Sequence, residues 1–311
     1  MTAEVRPVIR RLAARIINDY RAPAPSHSEE LFQRLEAATR DRSSGGEWAA
    51  LADEIIAALR QYGVPHFLRL PPIMKTVHPP MRSLGRRYWA YLEGSQCFSP
   101  EIQKALTESP VGQPLLSPHY PLTSPLLMQH GYHLVRLLES TDFDLARIQL
   151  VFEFGGGYGS FFRLLRNLGY RNRHVICDLP AMCALQRFYL RNVFPTAPQG
   201  EAPTNLDWLS DGAAGAVDKQ LAEHSPALFV ATWSLSEVAQ SVRDEIAPLL
   251  PRFDYILCAY QRLFGGYDNV RYFTSLERSL PQFIWHHAEC PVYRRNFYLI
   301  GRRAAIERAS G

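Results

Sequence analysis

Seven consecutive residues, Glu153-Phe154-Gly155-Gly156-Gly157-Tyr158-Gly159, carry the densest chemical signal in this sequence. Alternate glycines permit positive φ and let a backbone approach a ligand without a β-carbon in the way. The run follows an apolar stretch, Ile148 to Phe154, and precedes an amphipathic one. It therefore sits at the carboxyl end of a strand, where α/β sheets bind their ligands. The strict dinucleotide fingerprint G-x-G-x-x-G fails in every register, since Ser160, Phe161 and Phe162 stand where its last glycine belongs. Asp178 closes the next expected strand, Arg173 to Cys177, and is a second candidate ligand group. Acid-base candidates are Glu237 in Trp233-Ser234-Leu235-Ser236-Glu237, the pair His286 and His287, and His119 beside Tyr120. Glu237 reads equally as a first-turn glutamate favoured by the helix dipole. Strand neighbours His286 and His287 point to opposite faces, so at most one addresses a given site. His130 and His133 share a helix face. No carboxylate cluster accompanies them, so they read as solvated or packed residues, and no metal is expected.

The elements that position these groups change character along the chain. Of 23 prolines, 14 fall in the first 125 residues. Residues 1–140 read as helices broken by proline-rich turns. An amphipathic helix is expected at 1–20, and Ser26 with Glu29 has capping-box spacing. An apolar stripe from Trp48 to Leu59 is stopped by Gly63. Short helices fit Leu84 to Glu93, the segment capped by Ser99 with Pro100 at its first position, and Leu126 to Glu139 capped by Ser124. From residue 141 apolar strands alternate with helices: Ile148 to Phe154, Arg173 to Cys177, Leu228 to Thr232 and Tyr255 to Tyr260, with helices at Phe161 to Leu168, Ala181 to Val193 and Ser236 to Leu250. That rhythm means a parallel sheet covered on both faces. A third strand is expected to end before Asp207-Trp208. Phe283 to Cys290 and Arg295 to Gly301 read as an antiparallel C-terminal hairpin. The loop Gly265-Gly266-Tyr267-Asp268-Asn269 reads as mobile and placed to cover a substrate.

The pattern E-x-G-x-G-x-G resembles the first motif of the class I S-adenosylmethionine-dependent methyltransferases. The wider run FEFGGGYGSFFRLL, with CDLP, LQRFYL and ATWSLSEV, is similar to the sugar O-methyltransferases of bacterial polysaccharide and natural-product clusters, over residues 115–301. The resemblance implies an α/β, Rossmann-like class I methyltransferase sheet, mostly parallel with an antiparallel C-terminal hairpin, preceded by an N-terminal helical domain. It implies S-adenosyl-L-methionine as cofactor, held by Glu153, Gly155, Gly156, Gly157 and Tyr158. Asp178 would meet the ribose hydroxyls, Asp207 and Trp208 the adenine, and Leu179 and Thr232 are further contacts. Ala231 departs from the pattern, since such sequences often carry asparagine there. Methyl transfer to a hydroxyl needs alignment and a base, for which Glu237, His287 and His286 are the candidates. His119, Tyr120, Trp233, Ser234 and Tyr260 are candidates for the acceptor site. Tyr88, Trp89, Tyr91, Phe264 and Tyr267 are further aromatics for a sugar platform. Arg86, Arg87, Arg262 and Arg271 are candidates for the diphosphate of an activated sugar.

Composition narrows the alternatives. The chain has 311 residues, 47% hydrophobic and 21% charged, with net charge +4 and no block of five like charges. Nucleic acid is therefore not an expected partner. No apolar run approaches the ~20 residues of a membrane span. Five cysteines without a CxxC pair read as free thiols of a cytoplasmic protein. The expected organisation is a lid, acceptor and dimerisation region over 1–140, and a cofactor-binding methyltransferase domain over 141–311. The expected partners are a small-molecule acceptor and a second copy in a homodimer. Two rivals remain: a phenolic or other natural-product acceptor on the same fold, and a non-catalytic cofactor-binding partner protein.

Overall fold

The apolar runs of the second half become the parallel strands β1 (Leu150–Phe154), β2 (Arg173–Cys177), β3 (Leu206–Leu209), β4 (Ala227–Thr232) and β5 (Tyr255–Gln261). All five residues of β1 are buried, and β4 is buried up to its last residue, which is why neither shows polar alternation. The computed structural model describes residues 26–40, 50–77, 82–118, 120, 122–195, 205–209 and 214–304. The helix expected at 1–20, Trp48 and His119 lie outside the described residues.

The full sheet has seven strands in the order β3-β2-β1-β4-β5-β9-β8. Its last two, β8 (Phe283–Glu289) and β9 (Asn296–Arg303), pair antiparallel with each other, and β9 pairs antiparallel with β5. This is the expected Rossmann-like sheet with its C-terminal hairpin. Two smaller strands, β6 (Leu263–Phe264) and β7 (Tyr267–Asp268), pair only with each other. The loop expected to be mobile is thus a tight hairpin. Gly265 at φ +54 and Gly266 at φ +86 supply the two left-handed residues that a two-residue turn of matching twist requires.

The described residues fall into two compact units. The sheet's unit holds 133–156, 169–179 and the described residues from 205 on. One face of its sheet packs on α9 (Ala214–Glu223), α10 (Gln240–Ile246) and α11 (Asn269–Ser279), through Val217, Leu221, Ile246, Phe273 and Leu276. Phe152, Phe229 and Phe253 form its aromatic centre, with ring centroids 5.4 to 6.0 Å apart. Each such ring contributes about 1.5–3 kcal/mol by leaving water. The long helix expected from Ser236 to Leu250 is instead a short turn, α10, and a 3-10 segment from Ala247, because Pro248 and Pro251 cannot donate to a regular helix. The third strand also differs from expectation, since Asp207 and Trp208 lie inside β3 rather than after it.

The second unit holds the described residues up to 132, together with 157–168 and 180–195. Its helices are α1 (Ser28–Arg40), α2 (Leu51–Tyr62), α3 (Pro71–Val77), α4 (Arg82–Gly94), α5 (Pro100–Ala105), the first two turns of α6 (Pro125–Ser140), α7 (Ser160–Asn167) and α8 (Pro180–Val193). Helices beyond residue 141 in sequence therefore pack with the proline-rich part. Phe67 meets Phe188 edge to face at 5.4 Å, and Arg163 of α7 reaches Glu108. Ser99 caps α5, Ser124 caps α6, and Gly63 at φ +85 ends α2, as their residue types dictate. The capping box at Ser26 does not form. Ser26 instead donates through its N–H and hydroxyl to Asn192 of α8, at 2.9 and 3.0 Å.

Candidate functional site

Strand order reverses between β1 and β4, with β2 and β3 beyond one and β5 beyond the other. Ligands of open α/β sheets sit outside the carboxyl ends of the strands at such a reversal. Gly155 stands there at φ +77. Its N–H donates to Cys177 O at the end of β2, at 2.8 Å, and the Ser234 hydroxyl donates to Phe154 O. A β-carbon at 155 would lie 2.8 Å from Ser234 Oγ and nearer still to Ser234 Cβ. Glycine is therefore required twice, by the backbone angle and by the serine that fills the space.

Asp178 follows β2 immediately. Its N–H donates to Leu209 O at 3.1 Å, and its Oδ1 accepts the Leu179 N–H at 2.8 Å. These bonds hold an acid at the carboxyl edge beside Gly155. Glu153 points elsewhere. It is 2% exposed, and its Oε2 lies 3.0 Å from Nε2 of the fully buried His174. The register pairs Val151 with His174, which puts Glu153 and His174 on one face of the sheet. Glu153 thus meets a neighbouring strand rather than the loop. Asp207 is likewise engaged away from the carboxyl ends. Second in β3, it forms an ion pair with Arg173, the first residue of β2. Trp208 lies beside Ile176 in the same ladder and is half-buried.

Beyond Thr232 the chain turns through Trp233 at φ +69, an unusual angle for a bulky residue. The turn is over-determined. Trp233 N–H donates to Ala259 O at 2.7 Å, its indole N–H to Asn296 Oδ1 at 2.9 Å, and its carbonyl accepts the Ser236 N–H and hydroxyl. The Ser236 hydroxyl also lies 2.9 Å from Gln261 Oε1, and Gln261 Nε2 donates to Glu237 Oε1 at 3.0 Å. Asn269 Nδ2 donates to Gln261 O at 2.9 Å, and Arg243 Nη2 to Ser236 O and Asn269 Oδ1, both at 2.9 Å. Glu237 is accordingly held at the ends of β4 and β5 by a polar chain, not by a helix terminus.

The two strand histidines do face opposite sides. His287 Nδ1 donates to Glu277 Oε2 at 2.7 Å, and its Nε2 accepts the Tyr260 hydroxyl. Tyr260 is fully buried between Phe273 and Phe297, with centroids 4.0 and 5.5 Å away, and burial pushes its hydroxyl pKa up. It offers no ring face to an acceptor. On the other side, Arg136 Nη2 donates to His286 Nε2 at 2.9 Å, and burial with this guanidinium lowers the His286 pKa. His133, 1% exposed, packs by Trp233 with Nδ1 2.5 Å from the Tyr298 hydroxyl.

In the second unit, Gly157 and Gly159 also take positive φ, +57 and +92. A β-carbon at Gly159 would lie 3.1 Å from Leu190. The Gly157 carbonyl accepts Gln186 Nε2 at 2.9 Å. Tyr158 is 1% exposed and edge-on to Tyr189, so its ring is core. Glu108 and Arg163 form a buried ion pair at 2.5 Å, with Ser124 on the second carboxylate oxygen. His130 lies buried 3.3 Å from the Ser160 hydroxyl, and desolvation, then Arg163, lowers its pKa to about 3. Both helix histidines are therefore packed, neither solvated. Tyr88, Trp89 and Tyr91 pack against Tyr132, Phe98, Tyr120 and one another's neighbours rather than forming a platform.

Among the described residues no group of three or more His, Cys, Asp and Glu could hold a metal ion, and no helix is long and apolar enough to cross a membrane. The residues that the sequence did not flag are His174, Gln261 and Arg243. The first needed the strand register, and the others are single polar residues in unrelated segments. No protein-family model matches the sequence, and no curated protein does. Among solved structures, the methyltransferase domain of a bacterial CtHen1 aligns at TM-score 0.42 and 8% identity, over 57% of this chain and 99% of that one. An O-methyltransferase family protein from Burkholderia thailandensis aligns at 0.38 and 12%, over 91% and 97%. The methyltransferase PaMTH1 of Podospora anserina, solved with S-adenosylhomocysteine, aligns at 0.36 and 14%, over 73% and 98%.

Proposed function

We propose that this chain is an S-adenosylmethionine-dependent O-methyltransferase acting on a hydroxyl of a sugar or glycosylated small molecule. The observation that carries the reading is the junction at the strand reversal, where a side-chain-free turn at Gly155 adjoins the acid of Asp178. These groups suit the cofactor: a left-handed glycine turn at the strand end for its methionine part, and a carboxylate to accept from two ribose hydroxyls. When bound, S-adenosylmethionine supplies an electrophilic methyl on a sulfonium.

The chain's own share is binding, alignment and proton removal. Asp178 would accept the ribose hydroxyls, and the Gly155 turn would hold the methionine part. Of the three base candidates, Glu237 is the one we assign. His287 is committed to Tyr260 and Glu277, and His286 to Arg136. Glu237 receives the acceptor's hydroxyl proton on its carboxylate, whose Oε1 is oriented by Gln261 Nε2. The sugar preference rests on the sequence resemblance.

Calorimetric titration with S-adenosylhomocysteine tests the reading. Saturable binding is expected, weakened about tenfold or more by Asp178→Ala through loss of a charged acceptor. No binding at about 100 μM ligand would overturn it. A panel of sugar, glycoside and phenol acceptors, read by cofactor turnover, then tests the acceptor class.

A further inference from the structure

The β6–β7 hairpin leaves the end of β5, and its two strands pair only with each other. Arg262, Leu263 and the residues Gly265 to Asp268 are exposed, Leu263 by 63%. The hairpin is nonetheless fixed in place. Across its neck the Arg262 carbonyl accepts the Asn269 N–H at 3.0 Å, and the Tyr267 ring centroid lies 5.0 Å from the guanidinium carbon of the buried Arg243.

Four arginines gather at the base of this hairpin. Arg262 N–H donates to Arg295 O at 2.9 Å, so these two face each other just beyond the last β5–β9 pair, Gln261 with Asn296. Arg294 adjoins Arg295, and Arg271 lies in the first turn of α11. All four are exposed, and none of their side chains has a hydrogen bond or ion pair among the described residues. Elsewhere in this unit Arg136, Arg173, Arg252, Arg302 and Arg303 each reach a carboxylate. Here the two acids of the same segments serve backbone groups instead. Asp268 accepts the Arg271 N–H at 3.2 Å, and Glu289 accepts the Arg295 N–H at 2.7 Å. The patch keeps an excess of positive charge around an exposed leucine.

That combination selects among partners. Nucleic acid would use the arginines and stack bases on aromatic faces, but it has nothing for Leu263, and Tyr267 already has Arg243 over its ring. A bilayer with anionic headgroups uses both features, charge at the surface and an apolar side chain at the acyl boundary. We infer that the β6–β7 hairpin and its arginines dock on an anionic lipid surface, with Leu263 entering the headgroup layer. The hairpin begins directly after Gln261, whose amide holds Glu237, so docking would bring lipid-borne acceptors to that strand end. That consequence alone rests on the methyltransferase reading.

Sedimentation of the full chain with vesicles tests the inference, using phosphatidylglycerol mixed with phosphatidylcholine and, separately, phosphatidylcholine alone. Binding to the mixed vesicles is expected, weakening as salt rises, with none to the neutral ones. Arg262→Gln and Arg271→Gln should each lower the partition coefficient about fivefold, and Leu263→Ser about tenfold. Arg252→Gln, which removes an exposed arginine just before the amino end of β5, should leave it unchanged. Equal binding to both vesicle types overturns the inference, and so does anionic binding that the three hairpin substitutions leave intact. Failure to bind the anionic vesicles overturns it too, and duplex DNA binding by the same protein would then assign the arginines to nucleic acid. S-adenosylhomocysteine titration keeps the two readings apart, since its failure would overturn the methyltransferase reading and leave the vesicle result standing.

Discussion

Gly155→Ala probes the junction of β1 and β4 directly. At φ +77 an alanine enters the left-handed region, which costs about 1–2 kcal/mol. Its β-carbon would lie 2.8 Å from Ser234 Oγ and closer to Ser234 Cβ, so Ser234 must move. Overpacking of that kind costs about 1–3 kcal/mol. Together the loss is about 2–5 kcal/mol, a large part of the roughly 5–15 kcal/mol that keeps a domain folded. Ser234→Gly removes the obstructing carbon but also the hydroxyl's bond to Phe154 O, about 1 kcal/mol. In the double variant the steric part vanishes while the backbone part stays. The two losses should then fall short of additivity by about 1–3 kcal/mol. Urea unfolding of the four proteins, followed by circular dichroism, measures this coupling. Strict additivity would refute the claim that Ser234 is what the missing β-carbon makes room for. A Gly155→Ala loss below about 1 kcal/mol would refute the backbone part as well.

Glu108→Ala leaves Arg163 charged and buried without its partner, and should destabilise by about 3–5 kcal/mol in the same unfolding assay. Replacing both by Leu and Met should cost much less, and an equal loss for the single and double variants would count against the pair as the cause. His130 holds its pKa near 3 in the fold, while the unfolded chain takes up a proton near 6.5. Protonation therefore favours unfolding, and stability is full above pH 6.5 and falls between 6.5 and about 3. At pH 5 the deficit is about 2 kcal/mol, from 1.36 kcal/mol per unit. Urea midpoints at pH 8 and pH 5 should show that deficit in the parent and not in His130→Gln; equal pH dependence would exclude His130 as its source.

Much of the fold was legible because its causes are local. Leu228 to Ala231 is apolar throughout, and Leu150 to Phe154 is so but for Glu153, since both faces are buried, and no polar alternation competes with that reading. Asp178 and Gly155 were legible because a strand end forces whatever follows it to the carboxyl edge. The third strand was not. Its four residues are bounded by polar segments, and only the ladder to β2 shows that Asp207 and Trp208 are part of it. Tyr260 failed as an acceptor platform for a similar reason. Nothing in its own sequence neighbourhood announces Phe273, Phe297 and His287, which arrive from α11, β9 and β8. Register and long-range packing, rather than residue type, decided each of these outcomes.

The strand ends that carry the candidate chemistry are fastened as one piece. Ser234 bonds the end of β1, Trp233 bonds Ala259 of β5, and Ser236, Gln261 and Asn269 continue the chain to Arg243. Left-handed φ in a tryptophan costs of order 1–3 kcal/mol and persists only where its surroundings over-determine it. Here at least four hydrogen bonds do so. Without those bonds Trp233 would be free to relax toward an ordinary angle, and the turn that carries Ser234 and Glu237 would move with it. The geometry of Glu237 is thus tied to a glycine 82 positions earlier, through Ser234 rather than through any ligand. A loop chosen only for flexibility would not need that glycine, that serine and that tryptophan at once. Holding Glu237 against Gln261 at the end of β5 draws on all three.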